Sequence, residues 1–118
     1  MTLIEWQQLG TKASVIGSTG YDLLGNLRLQ KWLRRNLIRF QYEPKRFTLK
    51  DGTYTPDFFL IDHNLYIEIK GQLSYQNKLG ATVNAWGRAL DRARELADVY
   101  QVAICVMNGS HLKALGVL

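Results

Sequence analysis

The chain has little of the chemistry that cross-links or anchors a protein, with one cysteine, two prolines and two histidines in 118 residues. A lone cysteine supports neither an internal disulfide nor a zinc cluster, so Cys105, in the apolar run VAICVM, is expected to be a buried small hydrophobe. No apolar run approaches the roughly 20 residues that span a bilayer, and no signal peptide is recognisable at the start. We therefore expect an intracellular, cytoplasmic protein with no membrane partner.

Length and charge indicate the number of domains and the kind of partner. Hydrophobic residues make up 47% of the chain, which is enough for one core, and no repeat, low-complexity tract or linker divides it. We expect one domain over residues 1–118, with residues 1–20 as an N-terminal extension of unclear role. The net charge of +5 favours an anionic partner, of which nucleic acid is one.

Residues 21–40 are predicted to form a helix, because leucines recur there at intervals that place them along one broad face. They are Leu23, Leu27, Leu29, Leu33 and Leu37. Helical projection gathers basic residues on another side, namely Arg28, Lys31, Arg35 and Arg39. This basic stripe fits two interpretations equally, a surface for a phosphate backbone or an ordinary solvated helix face.

The segments TYTPDFFLI (53–61) and LYIEIKG (65–71) flank a turn-like Asp-His-Asn sequence, which predicts an antiparallel hairpin. Strand alternation places Glu68 and Lys70 on one face, with Ile69 on the other. Folding about His63 brings Asp57 opposite the segment from Glu68 to Lys70. Two carboxylates and the Ile69 carbonyl would offer the hard oxygen ligands that Mg²⁺ prefers.

The C-terminal half continues with a polar segment, a helix and a strand. Residues 72–84 are predicted to be a loop or an irregular helix start, from which Gln72 and Lys78 would contact phosphate oxygens. Gln72 is the better candidate, since Lys78 also fits an ordinary surface lysine. A helix over residues 82–98 carries arginines among acids on its exterior, which indicates a structural role. Residues 100–107 are predicted to form a buried strand at a parallel or mixed edge of the sheet.

Both histidines, His63 and His111, are expected to be solvated.

Pro56-Asp57 followed by Glu68-Ile69-Lys70, in the wording YEPKRFTL…GTYTPDFFL…YIEIKG, resembles the PD-(D/E)XK nuclease superfamily, particularly its small phage and transposon endonucleases. The resemblance covers residues 22–107. It implies an α/β fold with a restriction-endonuclease-like αβββαβ core, in which a mixed central sheet is flanked by helices.

The resemblance also implies a catalytic site. Asp57 and Glu68 would be catalytic residues that bind one or two Mg²⁺ ions with the Ile69 carbonyl, and Mn²⁺ is expected to substitute. Lys70 would orient or help to deprotonate the attacking water. A helix-borne acid commonly completes such a site, and Asp22 matches its place, although it would equally serve as a helix N-terminal acid. Glu43 competes for the same role, as a supporting residue near the metal.

The implied function is a Mg²⁺-dependent DNA endonuclease, borne by a phage or mobile element and needing no small-molecule cofactor. One site per chain suggests a homodimer for cutting both strands, at a specific duplex site as in homing endonucleases or at a four-way junction as in Holliday junction resolvases. Nicking by a monomer is the alternative. An RNA or tRNA endonuclease with the same chemistry, a catalytically inactive nucleic-acid-binding module and a small interaction domain are the other classes considered.

Overall fold

A computed structural model describes residues 21–71 and 74–117. The N-terminal extension and Gln72 therefore lie outside the described residues. Three helices, a 3₁₀ turn and eight strands follow one another in the described ranges. They are α1 (Tyr21–Arg35), β1 (Phe40–Tyr42), β2 (Phe47–Leu49), β3 (Gly52–Tyr54), β4 (Phe58–Leu60), the 3₁₀ turn Ile61–His63, β5 (Leu65–Ile69), β6 (Ser74–Gln76), β7 (Thr82–Asn84), α2 (Ala85–Tyr100), β8 (Ala103–Met107) and α3 (Gly109–Leu115).

A four-stranded mixed sheet with the order β1-β4-β5-β8 forms the centre. The predicted hairpin is confirmed, since β4 and β5 pair antiparallel with Phe58 opposite Ile67. Asn64, in a left-handed conformation with φ of 50°, closes the connection. The predicted parallel edge is also confirmed, because α2 crosses over to β8, which pairs parallel with β5.

Alternation along β5 divides the core between the two faces of the sheet. Ile67 and Ile69 pack on the face that α1 and α3 cover, in one cluster with Leu29 and Leu33 of α1. Tyr66 points to the other face, towards the residues that pack with α2. The structure is thus mixed α/β with helices on both sides of the sheet, as predicted. The order αβββαβ was incomplete, because it lacked two short hairpins and α3.

The predicted first helix was too long, because α1 ends at Arg35. Leu37 takes a left-handed φ of 56°, and the Ile38 N–H donates to the Leu33 carbonyl at 2.9 Å. This bond belongs to a C-terminal Schellman motif, in which a leucine occupies the position where glycine is usual. Leu37 is consequently 89% exposed instead of buried. Leu27, predicted to face the core, is half exposed.

Termination of α1 also changes the predicted basic stripe. Arg28, Lys31 and Arg35 are exposed on the helix as expected. Arg39 lies beyond the helix, just before β1, where its guanidinium group pairs with the carboxylate of Asp62. The prediction that Arg39 belongs to the stripe was therefore wrong.

Three further predictions are corrected. The segment 53–61 is two strands, because Tyr54 ends β3 and Pro56 separates it from β4. The segment predicted to be a loop after Gly71 contains the β6–β7 hairpin, and α2 starts at Ala85, where the Asn84 side chain accepts the Gly87 N–H at 2.8 Å. Cys105 is buried as predicted, whereas His111 is buried rather than solvated.

None of the helices in the described ranges is long and apolar enough to cross a membrane.

A glycine sets the close approach of α1 to the sheet. A Cβ atom at Gly25 would lie 3.1 Å from Leu112 Cδ1 and 3.3 Å from Ile69 Cγ2. Contacts this short force neighbouring side chains to move, and overpacking of this kind typically costs about 1–3 kcal/mol.

We predict that Gly25→Val lowers the free energy of unfolding by about 1–3 kcal/mol, because its branched side chain cannot fit between α1 and β5. Gly25→Ala is the control, since a gain in helix propensity of up to about 1 kcal/mol offsets its milder contacts. Urea denaturation of the three proteins measures both effects. Equal stability of Gly25→Val and wild type would contradict this packing.

Candidate active site

The candidate site starts where the pairing of β4 and β5 stops. The ladder ends at the pair Phe58 and Ile67, and Pro56 has no N–H with which to extend it. The Asp57 carboxylate takes over as acceptor, since its Oδ2 atom receives the Ile69 N–H at 2.7 Å. This bond fixes the Asp57 carboxylate beside the end of β5.

Glu68 lies directly opposite Asp57 if the β4–β5 register is continued by one residue. Burial, followed by a hydrogen bond and charge repulsion from Asp57, raises the pKa of Glu68 to about 9. A hydrogen bond between two carboxyl groups requires a proton on one of them. Without a cation, we therefore expect the two acids to share one proton at neutral pH.

The β2–β3 hairpin brings a tyrosine to this acid pair. Its backbone is attached to α2 by two bonds, from Lys50 N–H to Glu95 at 2.8 Å and from Arg92 to the Thr53 carbonyl at 2.7 Å. The Arg92 guanidinium carbon also lies 4.8 Å from the centre of the Tyr54 ring. Tyr54 is only 5% exposed, and burial, followed by the charge of Glu68, raises its pKa.

An open pocket of about 230 Å³ lies on the α2 face of the sheet. Its lining residues are Tyr54, Glu68, Lys70, Ala85, Arg88, Ala89 and Arg92. Asp57 is not in the lining and influences the pocket through Glu68. Lys70 shares the strand face with Glu68, as predicted, and its charge opposes the rise in the pKa of Glu68.

Two arginines of α2 were missed as site residues. Arg88 and Arg92 were expected to lie on the exterior of a structural helix, yet both line the pocket. Their spacing of one helical turn, interleaved with Ala85 and Ala89, is the signal that would have placed them on one face. Three basic side chains therefore line the same pocket as Glu68, an arrangement suited to an anionic ligand.

A second group of residues near Asp57 comes from β1, from the residue that follows it and from α1. Glu43 directly follows β1 and has a left-handed φ of 46°. Its N–H donates to the Asp57 carbonyl at 2.7 Å. Burial, followed by the charges of Glu43 and Asp57, raises the pKa of Tyr42, and Asn26 of α1 opposes that rise through a hydrogen bond. The Glu43 backbone thus contacts that of Asp57, and the role of Glu43 as a supporting residue stays a prediction.

Four predicted nucleic-acid-binding residues with described side chains are not among the residues that line the pocket. The exposed side chains Arg28, Lys31 and Arg35 belong to α1, which covers the opposite face of the sheet. Lys78 lies in the turn of the β6–β7 hairpin. Asp22 lies in the first turn of α1, and its side chain is outside the described part of the structure. Its role, and that of the Ile69 carbonyl, stay predictions.

The donor set is chemically suited to Mg²⁺. Within residues 21–71 and 74–117, no group of three or more His, Cys, Asp or Glu side chains is arranged to hold a metal ion. Mg²⁺ commonly uses only one or two carboxylates and keeps several waters. Asp57 and Glu68 supply two, and a divalent cation would relieve the repulsion that one shared proton relieves in its absence.

No protein-family model matches the chain, and neither a curated protein nor a solved structure is significantly similar to it. The superfamily resemblance therefore stays a prediction from the motif.

The shared proton predicts an unusual dependence of stability on pH. Between the ordinary pKa of a glutamate, near 4.5, and about 9, the folded protein holds a proton on Glu68 that the unfolded chain releases. Folding therefore binds protons in this range, and this contribution to stability falls as pH rises through it.

We predict that, in EDTA, the unfolding midpoint of the wild type falls relative to that of Glu68→Gln as pH rises from about 5 to about 9. The comparison removes the contributions of other titrating groups to the pH dependence, because both proteins share them. Glutamine keeps the shape of the Glu68 side chain but cannot ionise. Adding Mg²⁺ should restore wild-type stability at high pH. Parallel pH curves for the two proteins would contradict a shared proton.

Proposed function

We propose that the protein is a Mg²⁺-dependent endonuclease that hydrolyses phosphodiester bonds in DNA. The observation that carries this proposal is an open pocket lined by Glu68, Lys70 and Arg88, with Asp57 held next to Glu68 by its bond to the Ile69 N–H. One acid in the pocket, a second acid next to it and several cations suit both a metal ion and the phosphate that it would bind.

Each group in the pocket has a chemical role in this proposal. Asp57 and Glu68 would hold Mg²⁺, which would lower the pKa of a coordinated water and offset negative charge on the phosphate. The Lys70 ammonium donates hydrogen bonds that orient the nucleophilic water. The Arg88 guanidinium, with its planar set of donors, binds a non-bridging phosphate oxygen.

Tyr54 and Arg92 have a positioning role. The Tyr54 ring, held between Arg92 and Glu68, excludes water from one side of the acid pair and fixes the Glu68 carboxyl group. A site on a strand end, with its side chains packed in this way, stays ordered before the substrate arrives.

Cleavage of both DNA strands would require a second copy of the site. We therefore propose a homodimer acting on a duplex site or a four-way junction. An RNA substrate would use the same groups, so the substrate class is decided by direct comparison of nucleic acids.

We predict that the purified protein cuts supercoiled plasmid or a four-way junction in Mg²⁺ and not in EDTA. Asp57→Asn and Glu68→Gln should each lower the cleavage rate by a factor of about 1,000 or more, because they remove metal-binding charge, while DNA binding is retained. Asp98→Asn, at an exposed acid near the far end of α2, is the matched control and should cut normally. A matched RNA is included in the same assay.

Cutting by Asp57→Asn and Glu68→Gln at the wild-type rate would contradict the site. Preferred cutting of RNA would keep the site and change the substrate class. DNA binding without cutting of any substrate would favour a binding module.

A second prediction separates phosphate binding from general basicity. Arg88→Ala should lower kcat/KM by about 10- to 100-fold, the loss expected for a charged hydrogen bond of about 1.5–3 kcal/mol. Arg94→Ala is the control on the same helix, since Arg94 is exposed, outside this pocket and 3.6 Å from Asp91. Steady-state cleavage of a labelled oligonucleotide measures both. Equal losses in the two variants would show that only net charge matters.

A further inference from the structure

The β6–β7 hairpin emerges from the rim of the pocket. Its first strand begins at Ser74, four residues after Lys70, and its second ends at Asn84, immediately before Ala85. Lys70 and Ala85 both line the pocket. Because β6 also lies against α2, the base of the hairpin is anchored while residues 76–82 are exposed.

The turn of this hairpin is held by a compact set of hydrogen bonds. Asn77 Oδ1 accepts the N–H groups of Leu79 and Ala81, each at 3.0 Å. The Asn77 N–H donates to the Ala81 carbonyl at 2.9 Å, and the Gly80 N–H donates to the Asn77 carbonyl at 3.0 Å. Gly80 has a φ of 81°, which favours glycine. The turn is therefore a defined structure that projects its side chains.

Leu79 is the side chain at the tip, and it is 92% exposed. Full burial of a leucine side chain is worth about 1.5–3 kcal/mol, which Leu79 does not gain within the described residues. Its immediate neighbour is Lys78. No Asp or Glu occurs between Gly71 and Asn84, so Lys78 is the one charged residue of that segment.

The chemistry of the tip matches nucleic acid better than protein. One apolar side chain next to a cation gives too small an apolar patch for a stable protein interface. Proteins that bend DNA insert single apolar side chains between base pairs while neighbouring cations contact phosphates. Lys70 and Arg88 at the base of the hairpin extend the same positive charge towards the pocket.

We propose that the β6–β7 hairpin is a wedge, in which Leu79 inserts between adjacent bases of the bound duplex and Lys78 contacts a neighbouring phosphate. This inference rests on the proposed function, because it requires nucleic acid at the pocket. The wedge would unstack bases beside the phosphodiester bond to be cut. Flexible base steps and junctions, which are already partly unstacked, would then be preferred.

The test uses a DNA duplex of mixed sequence that carries the fluorescent adenine analogue aminopurine, whose emission rises when it unstacks. All proteins carry Glu68→Gln so that the DNA stays intact in Mg²⁺. The parent should raise aminopurine emission on saturation. Adding Leu79→Ser should remove more than about half of that rise, with affinity reduced by no more than about 10-fold.

Two further variants separate the wedge from charge and from surface hydrophobicity. Lys78→Ala should keep the fluorescence rise but reduce the slope of log affinity against log salt by about 1. Leu37→Ser is the matched control, because Leu37 is 89% exposed and lies just before β1, towards the end of the sheet opposite the pocket. It should change neither signal.

The result distinguishes this inference from the proposed function. Metal-dependent plasmid cutting by the wild type, with no aminopurine signal or an unchanged signal in Leu79→Ser, would overturn the wedge alone. Absence of both cutting and DNA binding would overturn both proposals. A change from dimer to monomer in sedimentation of Leu79→Ser would instead make the tip a subunit contact and overturn the wedge.

Discussion

The site depends on the way in which one strand pairing ends. Pro56 stops the β4–β5 ladder, and Asp57 then accepts the Ile69 N–H through its side chain. This bond orients one carboxylate next to Glu68, whose partial burial disfavours a second negative charge there. We expect two carboxyl groups held together in this way to bind either a proton or a cation. The local backbone geometry therefore brings two carboxyl groups together, and the proposed metal ion would neutralise the repulsion between them.

The rest of the fold surrounds this pair from two sides. α1 and α3 pack against the Ile69 side of the sheet, and none of their described side chains lines the pocket. α2 covers the other side and contributes Arg88 and Arg92 to the pocket that Glu68 also lines. Because the same helix binds the β2–β3 hairpin, it also fixes the position of Tyr54. One helix thus combines the structural role expected from the sequence with a direct part in the pocket.

The sequence predicted the centre of the structure because the information there is local. Alternating apolar residues and a turn-like Asp-His-Asn segment identified the β4–β5 hairpin, and the hairpin alone brings Asp57 towards Glu68 and Lys70. The end of α1 was missed because Leu37, not glycine, takes the left-handed conformation. The β6–β7 hairpin was missed because its strands are short and polar and its turn is longer than the two-residue type. Arg88 was missed because periodicity does not tell which flank of a helix meets a particular strand.

The central claim is that Asp57 and Glu68 share one proton and release it to a divalent cation. The most direct measurement follows the carboxyl carbon of Glu68 by NMR as a function of pH, in EDTA and in saturating Mg²⁺. The account predicts a pKa of about 9 for Glu68 in EDTA and a marked fall when Mg²⁺ is added. Titration of Glu68 near its ordinary value of 4.5 in EDTA, with no change on adding Mg²⁺, would contradict it.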